Sequence, residues 1–135
     1  MNKVIQDMWI IEENGMVLYS HVLDKKVDEV LFGGLMAALN MFAEQLSQEG
    51  IKSIELQNFR FHLLKQDRLL FIANCEKKEK EKKLQKELAK IADNFIQLYG
   101  QELDHWDNNS NRFLDFEEKI KKNTKKPLEE FWKAF

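Results

Sequence analysis

Residues 31–46 (LFGGLMAALNMFAEQL) constrain the fold of this chain most, because they have the periodicity of one long amphipathic helix. At about 100° per residue, one face of this helix is continuously apolar. We call this face the apolar stripe; it consists of Leu31, Leu35, Ala38, Leu39, Phe42 and Leu46 and is flanked by Phe32, Met36 and Ala43. A stripe of this width can cover a β-sheet, so the pattern predicts that it packs on one.

The opposite face of the same helix is a strip of mostly small side chains, formed by Gly33, Ala37, Asn40 and Glu44. A glycine inside a helix costs roughly 1 kcal/mol relative to alanine, so the pair Gly33-Gly34 needs an explanation. Either another backbone approaches closely there, or tertiary packing tolerates the two glycines. We expect Gly33, Ala37 and Asn40, with Met41 beside them, to contact a second copy of the chain or a related domain.

The rest of the pattern predicts five strands and a second helix. Residues 4–11 and 16–21 are rich in strand formers and flank Glu13-Asn14-Gly15, a strong hairpin signal. Residues 51–56, 59–65 and 69–75 indicate an antiparallel meander. The continuous apolar run in residues 69–72 is typical of a strand that is covered on both faces or lies next to a partner. A helical period then begins at Leu84, with Leu84, Leu88, Ile91, Phe95, Leu98 and Leu103 along one side.

These elements predict an α+β domain over residues 1–123, with a five-stranded antiparallel sheet, two long helices and short helices near its C-terminus. We expect both long helices on the same side of the sheet, the economical arrangement for an antiparallel meander. The chain has 135 residues, a size typical of one domain.

Composition and charge exclude several classes of function. A formal net charge of -2 gives no overall attraction to nucleic acid or to an anionic membrane. The single cysteine, Cys75, excludes an internal disulfide and a cysteine zinc cluster. The first fifteen residues match neither a signal peptide nor a membrane span, so we expect a cytoplasmic protein whose membrane association is at most peripheral.

The charged run at residues 76–83 (EKKEKEKK) has two interpretations. It could be a basic patch for phosphate groups, or a solvated connection that leads into the first turns of a helix. Glutamates alternate with the lysines, which favours the solvated connection.

No motif for catalysis, cofactor binding or metal binding is present. Gly33-Gly34 lacks the lysine and hydroxyl residue of a phosphate loop, and no nucleophile elbow or HExxH pattern occurs. His21, His62 and His105 fall in separate predicted elements. Residues 104–107 (DHWD) fit a surface loop with Trp106 as a packing residue. We therefore expect no enzyme activity, no cofactor and no metal.

Residues 124–135 form a separate amphipathic segment after the predicted short helix at residues 112–122. Pro127 suits the first position of a helix, and one face then carries Leu128, Phe131, Trp132 and Phe135. We expect these four side chains to dock on the domain itself or on a symmetry mate, with a partner's groove or a membrane interface as the alternatives. Glu129 and Glu130 oppose membrane binding.

Several segments resemble longin and roadblock domains, which share a profilin-like fold. The hairpin segment IIEENGMVLYS is similar to the opening of these domains, and RLLFIANCE and NFIQLYG, followed by Trp106 and Phe113, continue the likeness over residues 3–122. The first helix is similar to a Phe-x-Gly-Leu-x-x-Ala-Leu-x-x-Phe pattern, carried here by Phe32, Gly34, Leu35, Ala38, Leu39 and Phe42. The compact chain is also similar to longin-like proteins of archaea related to eukaryotes.

The resemblance implies a non-catalytic scaffold or regulator of small GTPases in membrane-trafficking or polarity systems, paired as a homodimer or with a related longin or roadblock domain. It carries no catalytic residue across. The first alternative is a small-molecule sensor with a cavity lined by Phe42, Phe59, Phe61 and Phe71 and by the polar residues Asn40, His62 and Asn74. The second is a purely structural dimerisation module. Balanced charge argues against nucleic-acid binding.

Overall fold

The computed structural model describes residues 4–22 and 28–103, with the backbone alone for 101–103. Its elements in chain order are β1 (Asp7–Glu12), β2 (Val17–His21), α1 (Glu29–Leu46), β3 (Ser53–Glu55), β4 (Phe59–Gln66), β5 (Leu69–Glu76) and α2 (Glu81–Leu103). The strands form one sheet in the order β2-β1-β5-β4-β3, and every adjacent pair is antiparallel. The predicted α+β fold is thereby confirmed. The predicted helix at residues 112–122 and the segment with Leu128, Phe131, Trp132 and Phe135 lie outside the described residues.

A tight turn at Glu13-Asn14-Gly15 joins β1 to β2, as the sequence predicts. The amide of Glu12 donates to the carbonyl of Met16 at 2.8 Å, and the Asn14 side-chain oxygen accepts from the Met16 amide at 2.9 Å. Gly15 has φ of +97°, a backbone conformation that favours glycine. The turn therefore holds the β1–β2 hairpin in a fixed shape against which α1 can pack.

The two long helices lie on opposite faces of the sheet, so the prediction that they share one side is wrong. On one face, Met8 and Ile10 of β1 pack with Phe71 of β5 and with the buried side of α2. On the other face, the alternate residues Trp9 and Ile11 pack with α1. All residues of β5 from Leu69 to Cys75 are buried. This central strand needs cover on both faces, and each of the two helices covers one face.

Helix α2 packs on the sheet through the side that its periodicity predicts. Leu84, Leu88, Ile91 and Phe95 are buried, and the Phe95 ring meets Phe71 edge to face at 5.9 Å. Leu98, which the same pattern places in the core, is 43% exposed.

Helix α1 presents its small-residue strip to the sheet, so the prediction that the apolar stripe faces the sheet is also wrong. The buried positions of α1 are Gly33, Met36, Ala37 and Asn40. The Trp9 ring contacts Phe32 at 4.3 Å and Phe61 at 5.9 Å beneath the first turns of the helix. A β-carbon at Gly33 would lie 2.3 Å from the Gly15 carbonyl oxygen, so this glycine allows close contact with the hairpin backbone. A β-carbon at Gly34 would meet nothing within 4 Å.

The two adjacent glycines should therefore respond oppositely to alanine. We expect Gly33→Ala to lower the free energy of unfolding by about 1 to 3 kcal/mol, because the new methyl group would collide with the Gly15 carbonyl. We expect Gly34→Ala to raise it by up to about 1 kcal/mol, because alanine is the better helix former in open space. Urea unfolding of both variants measures the difference. Equal effects would contradict the proposed contact between α1 and the hairpin.

We expect His62 of β4 to make the stability of the fold depend on pH. Its side chain is buried on the α2 side of the sheet, and Nδ1 has no hydrogen-bond partner among the described residues. Burial lowers the pKa of His62 below the usual 6.5. Below about pH 6.5, His62 therefore binds a proton more readily in the unfolded chain than in the folded one. The stability that is present above this pH is lost as the pH falls toward the folded-state pKa.

We expect wild-type stability to fall more steeply than that of His62→Leu between about pH 7 and pH 5. The measurement is the difference in free energy of unfolding between the two proteins across this range. The other two histidines, His21 and His105, are present in both proteins, so the comparison isolates the effect of His62. A difference that stays constant with pH would show that His62 is not the responsible group.

Candidate protein-interaction surface

Helix α1 has a well-defined N-terminal cap, which is followed by a long stretch of uncharged residues. The Asp28 carboxylate caps it by accepting from the amides of Val30 at 2.9 Å and Leu31 at 3.1 Å. From Val30 to Ala43 the helix contains no charged residue. It ends at Leu46, and the amide of the next residue, Ser47, donates to the carbonyl of Ala43 at 2.8 Å. Its stability therefore comes from packing and capping rather than from charge pairs along its surface.

The apolar stripe of α1 faces away from the sheet and is largely exposed. Leu31 is 72% exposed, Phe42 61% and Leu46 76%. Leu35 and Leu39 are also exposed, as are Val30 and Met41 at the sides of the stripe. A helix that is apolar on both faces is ordinarily covered on both. In the described part of the chain, nothing covers this one.

The four residues predicted to contact a partner from α1 do not lie together on its exposed side. Gly33, Ala37 and Asn40 are buried beneath α1, where they contact the chain's own hairpin and sheet. Met41 is 58% exposed and lies near the stripe. The suspected close approach of another backbone does occur at Gly33, but that backbone belongs to the same chain. The exposed side of α1 is the stripe.

Asn40 and its neighbours fix the C-terminal half of α1 to the sheet. The Asn40 amide oxygen accepts from the backbone of Ile51 at 3.0 Å, and its nitrogen donates to Glu44 at 2.9 Å. Lys65 of β4 donates to the same Glu44 oxygen at 2.7 Å. This lysine, with a smaller contribution from Asn40, holds the pKa of the Glu44 carboxyl below its usual value. Asn40 therefore has a structural role.

The edges of the sheet provide a second kind of contact surface. The edge strand β3 is three residues long and pairs on one side with β4. Beside it, Leu56 is 50% exposed and Phe59 38%. An unpaired edge with apolar neighbours can accept a strand from another molecule.

The phenylalanines of the alternative small-molecule sensor do not line one common cavity in the described structure. Phe71 packs on the α2 side of the sheet and Phe61 on the α1 side, so the sheet separates them. Phe42 and Phe59 are exposed. An open surface groove of about 590 Å³ lies between the hairpin turn and the start of α1. It is lined by Asn14, Gly15, Met16, Val17, Glu29, Val30 and Gly34.

Within the described residues, the side chains that could bind a metal ion do not lie close together. Within residues 4–22 and 28–103, no group of His, Cys, Asp and Glu side chains could hold a metal ion. His21 on β2 and His62 on β4 are separated by β1 and β5. No helix in these ranges is long and apolar enough to cross a membrane.

A protein-family model matches nearly the whole chain. Residues 7–134 match the family described as the first longin domain of FUZ, MON1 and HPS1. No curated protein sequence is significantly similar to this chain.

Solved structures of roadblock-type proteins share the fold. MglB of Myxococcus xanthus aligns with a TM-score of 0.59 at 12% identity, over 72% of this chain and 85% of that protein. A Roadblock/LC7 domain from Streptomyces avermitilis aligns with a TM-score of 0.60 at 13% identity, over 73% of this chain and 87% of the domain. At such low identity, these likenesses establish the architecture alone.

The structural role of Asn40 can be tested directly. We expect Asn40→Ala to lower the free energy of unfolding by about 1 to 3 kcal/mol, because the amide of Ile51 loses its acceptor. The oligomeric state should not change. Gln45→Ala, at an exposed position of the same helix, is the control and should have little effect on either. A change of oligomeric state in Asn40→Ala at unchanged stability would instead place Asn40 in an interface.

Proposed function

Because the chain belongs to the family of first longin domains of FUZ, MON1 and HPS1, we propose that it is a non-catalytic interaction domain. It pairs with a second copy or a related longin or roadblock domain through the apolar stripe of α1, and the pair regulates or positions a small GTPase. The observation that carries this proposal is the exposure of the stripe on a helix whose other side is already buried.

The energetics of the stripe support pairing. Burying a leucine or phenylalanine side chain fully gains about 1.5 to 3 kcal/mol over leaving it in water. Leu31, Leu35, Phe42 and Leu46 are each more than half exposed, so a partner that covers them gains several kcal/mol. No charged side chain lies between Leu31 and Ala43 of this helix. Charged residues are similarly depleted in the cores of protein interfaces.

The geometry also suits a two-fold contact. In such a contact the same surface serves both partners, so a continuous stripe along one helix can pack against its own copy. Edge strand β3 can pair with the β3 of the second molecule in the same arrangement. The contact would bury the stripe and protect an edge of each sheet.

The regulatory part of the proposal rests on the family. Longin and roadblock domains typically bind small GTPases, as the sequence resemblance implies, and act in trafficking and polarity systems. The described residues offer interaction surfaces and no convergent chemistry, which is what a regulator without its own reaction requires. A cytoplasmic location is part of this proposal.

Charging the stripe should abolish pairing without unfolding the domain. In Leu35→Glu/Phe42→Glu, both positions are exposed in the single chain, so the fold should persist. We expect the pair to dissociate at least about a hundredfold more readily, because carboxylates replace apolar contacts in both partners. Sedimentation velocity over a range of concentrations measures this change.

Leu98→Glu is the matched control, because Leu98 is an exposed apolar residue on α2 and therefore on the other side of the sheet. Its oligomeric state should equal that of wild type. If wild type is monomeric and captures no related domain, or if the two variants behave alike, the stripe is not the pairing surface.

Regulation of a GTPase needs a separate measurement. Purified domain is added to candidate small GTPases loaded with GDP or with a non-hydrolysable GTP analogue, and binding, nucleotide exchange and hydrolysis are followed. We expect binding that depends on the nucleotide, and no turnover by the domain alone. Pairing without any effect on GTPases would leave the structural dimerisation module as the function.

A further inference from the structure

Positive charge is concentrated in two segments of this mildly acidic chain, residues 77–90 and residues 119–126, and only the first lies within the described residues. Residues 77–90 contain seven lysines and three glutamates, a net charge of +4, whereas the whole chain has -2. The remainder therefore carries -6. Such an asymmetry directs one side of a protein toward anionic surfaces.

The folded helix separates charges that alternate in the sequence. Lys82, Lys86 and Lys90 follow one another at intervals of four residues and are exposed; we call them the lysine face. Glu81 and Glu87 of the same helix are half-buried. Lys90 lies 3.9 Å from Glu87, whereas Lys82 and Lys86 form no ion pair within the described ranges. The exposed Asp93, about one turn after Lys90, is the acidic residue at the end of this face.

The stability of α2 does not explain these lysines. Lys82 and Lys83 lie in the first turn, where the helix dipole disfavours positive charge, and Glu81 is the acidic residue of that turn. The last turn, where lysine would stabilise the helix, has no basic residue. The distribution is therefore opposite to the one that helix stability favours.

We propose that the lysine face is the surface by which this domain associates with an anionic membrane. Lysine side chains that lie near such a surface are attracted to its acidic headgroups without a fixed contact geometry. Helices α1 and α2 cover opposite faces of the sheet. Membrane contact through α2 therefore leaves the apolar stripe accessible to a protein. The inference does not depend on the proposed pairing.

The chemistry of this surface favours a membrane over a protein or a nucleic acid. Protein interfaces are depleted in lysine and enriched in aromatic residues and arginine. In the described part of α2, the exposed large apolar residue is Leu98, and the exposed cations are all lysines. A single-stranded nucleic-acid site would combine positive charge with exposed aromatic side chains for stacking.

The test is co-sedimentation of the full chain with vesicles of phosphatidylcholine alone or mixed with phosphatidylserine. We expect binding to the anionic vesicles only, weakened by high salt. Lys82→Gln/Lys86→Gln should lower the apparent affinity by roughly tenfold or more. Its circular dichroism and melting temperature should match wild type, because both side chains are exposed.

The control removes the same charge elsewhere. Lys52→Gln/Arg68→Gln changes two exposed cations outside α2, and its vesicle binding should stay close to that of wild type. Equal losses in the two variants would show that net charge alone matters and would overturn the proposal. So would the absence of binding to anionic vesicles, or binding to a DNA fragment but not to vesicles. Both variants leave α1 unchanged, so failure here is distinct from failure of pairing.

Discussion

The close contact between Gly33 of α1 and the backbone of Gly15 determines how the first half of this molecule is arranged. A β-carbon at position 33 would collide with the Gly15 carbonyl, so the helix can approach the hairpin only through this side. Ala37 and Asn40 lie on the same side and are buried with it. Once the small side chains occupy the contact, the large ones must point away from the sheet. The exposed stripe is thus a direct consequence of this backbone contact.

Much of the fold could be predicted from the sequence, because strong local signals determine it. The Asn14-Gly15 turn, the three meander strands and the period of α2 each depend on neighbouring residues, and all appear in the structure. The continuous burial of β5 was also visible as an apolar run in residues 69–72. That run indicates either cover on both faces or a neighbouring partner, whereas the expectation of both helices on one side rests on a general preference in antiparallel sheets. The local signal was the better guide.

The orientation of α1 could not be derived from periodicity. Both of its faces are apolar or small, so a helical wheel does not distinguish the side that meets the sheet from the side that meets a partner. Size is a better discriminator here than hydropathy, because glycine and alanine permit the closest approach of backbones. The same limit applies to the lysines of α2, whose alternation with glutamates in the sequence hides their separation on the helix.

The pairing of β1 with β5 also has a consequence for the order in which the chain can fold. Asp7 and Asn74 are register partners and share a side-chain hydrogen bond, although 67 residues separate them. Contacts of such high sequence separation form slowly, because the entropic cost of closing a long loop must be overcome before the contacts stabilise the fold. On the ribosome, the N-terminal hairpin and α1 emerge well before the strand that completes their sheet. During that interval the hairpin alone is available to cover α1, and shielding of the apolar stripe by a chaperone or by an already folded partner would be of greatest value.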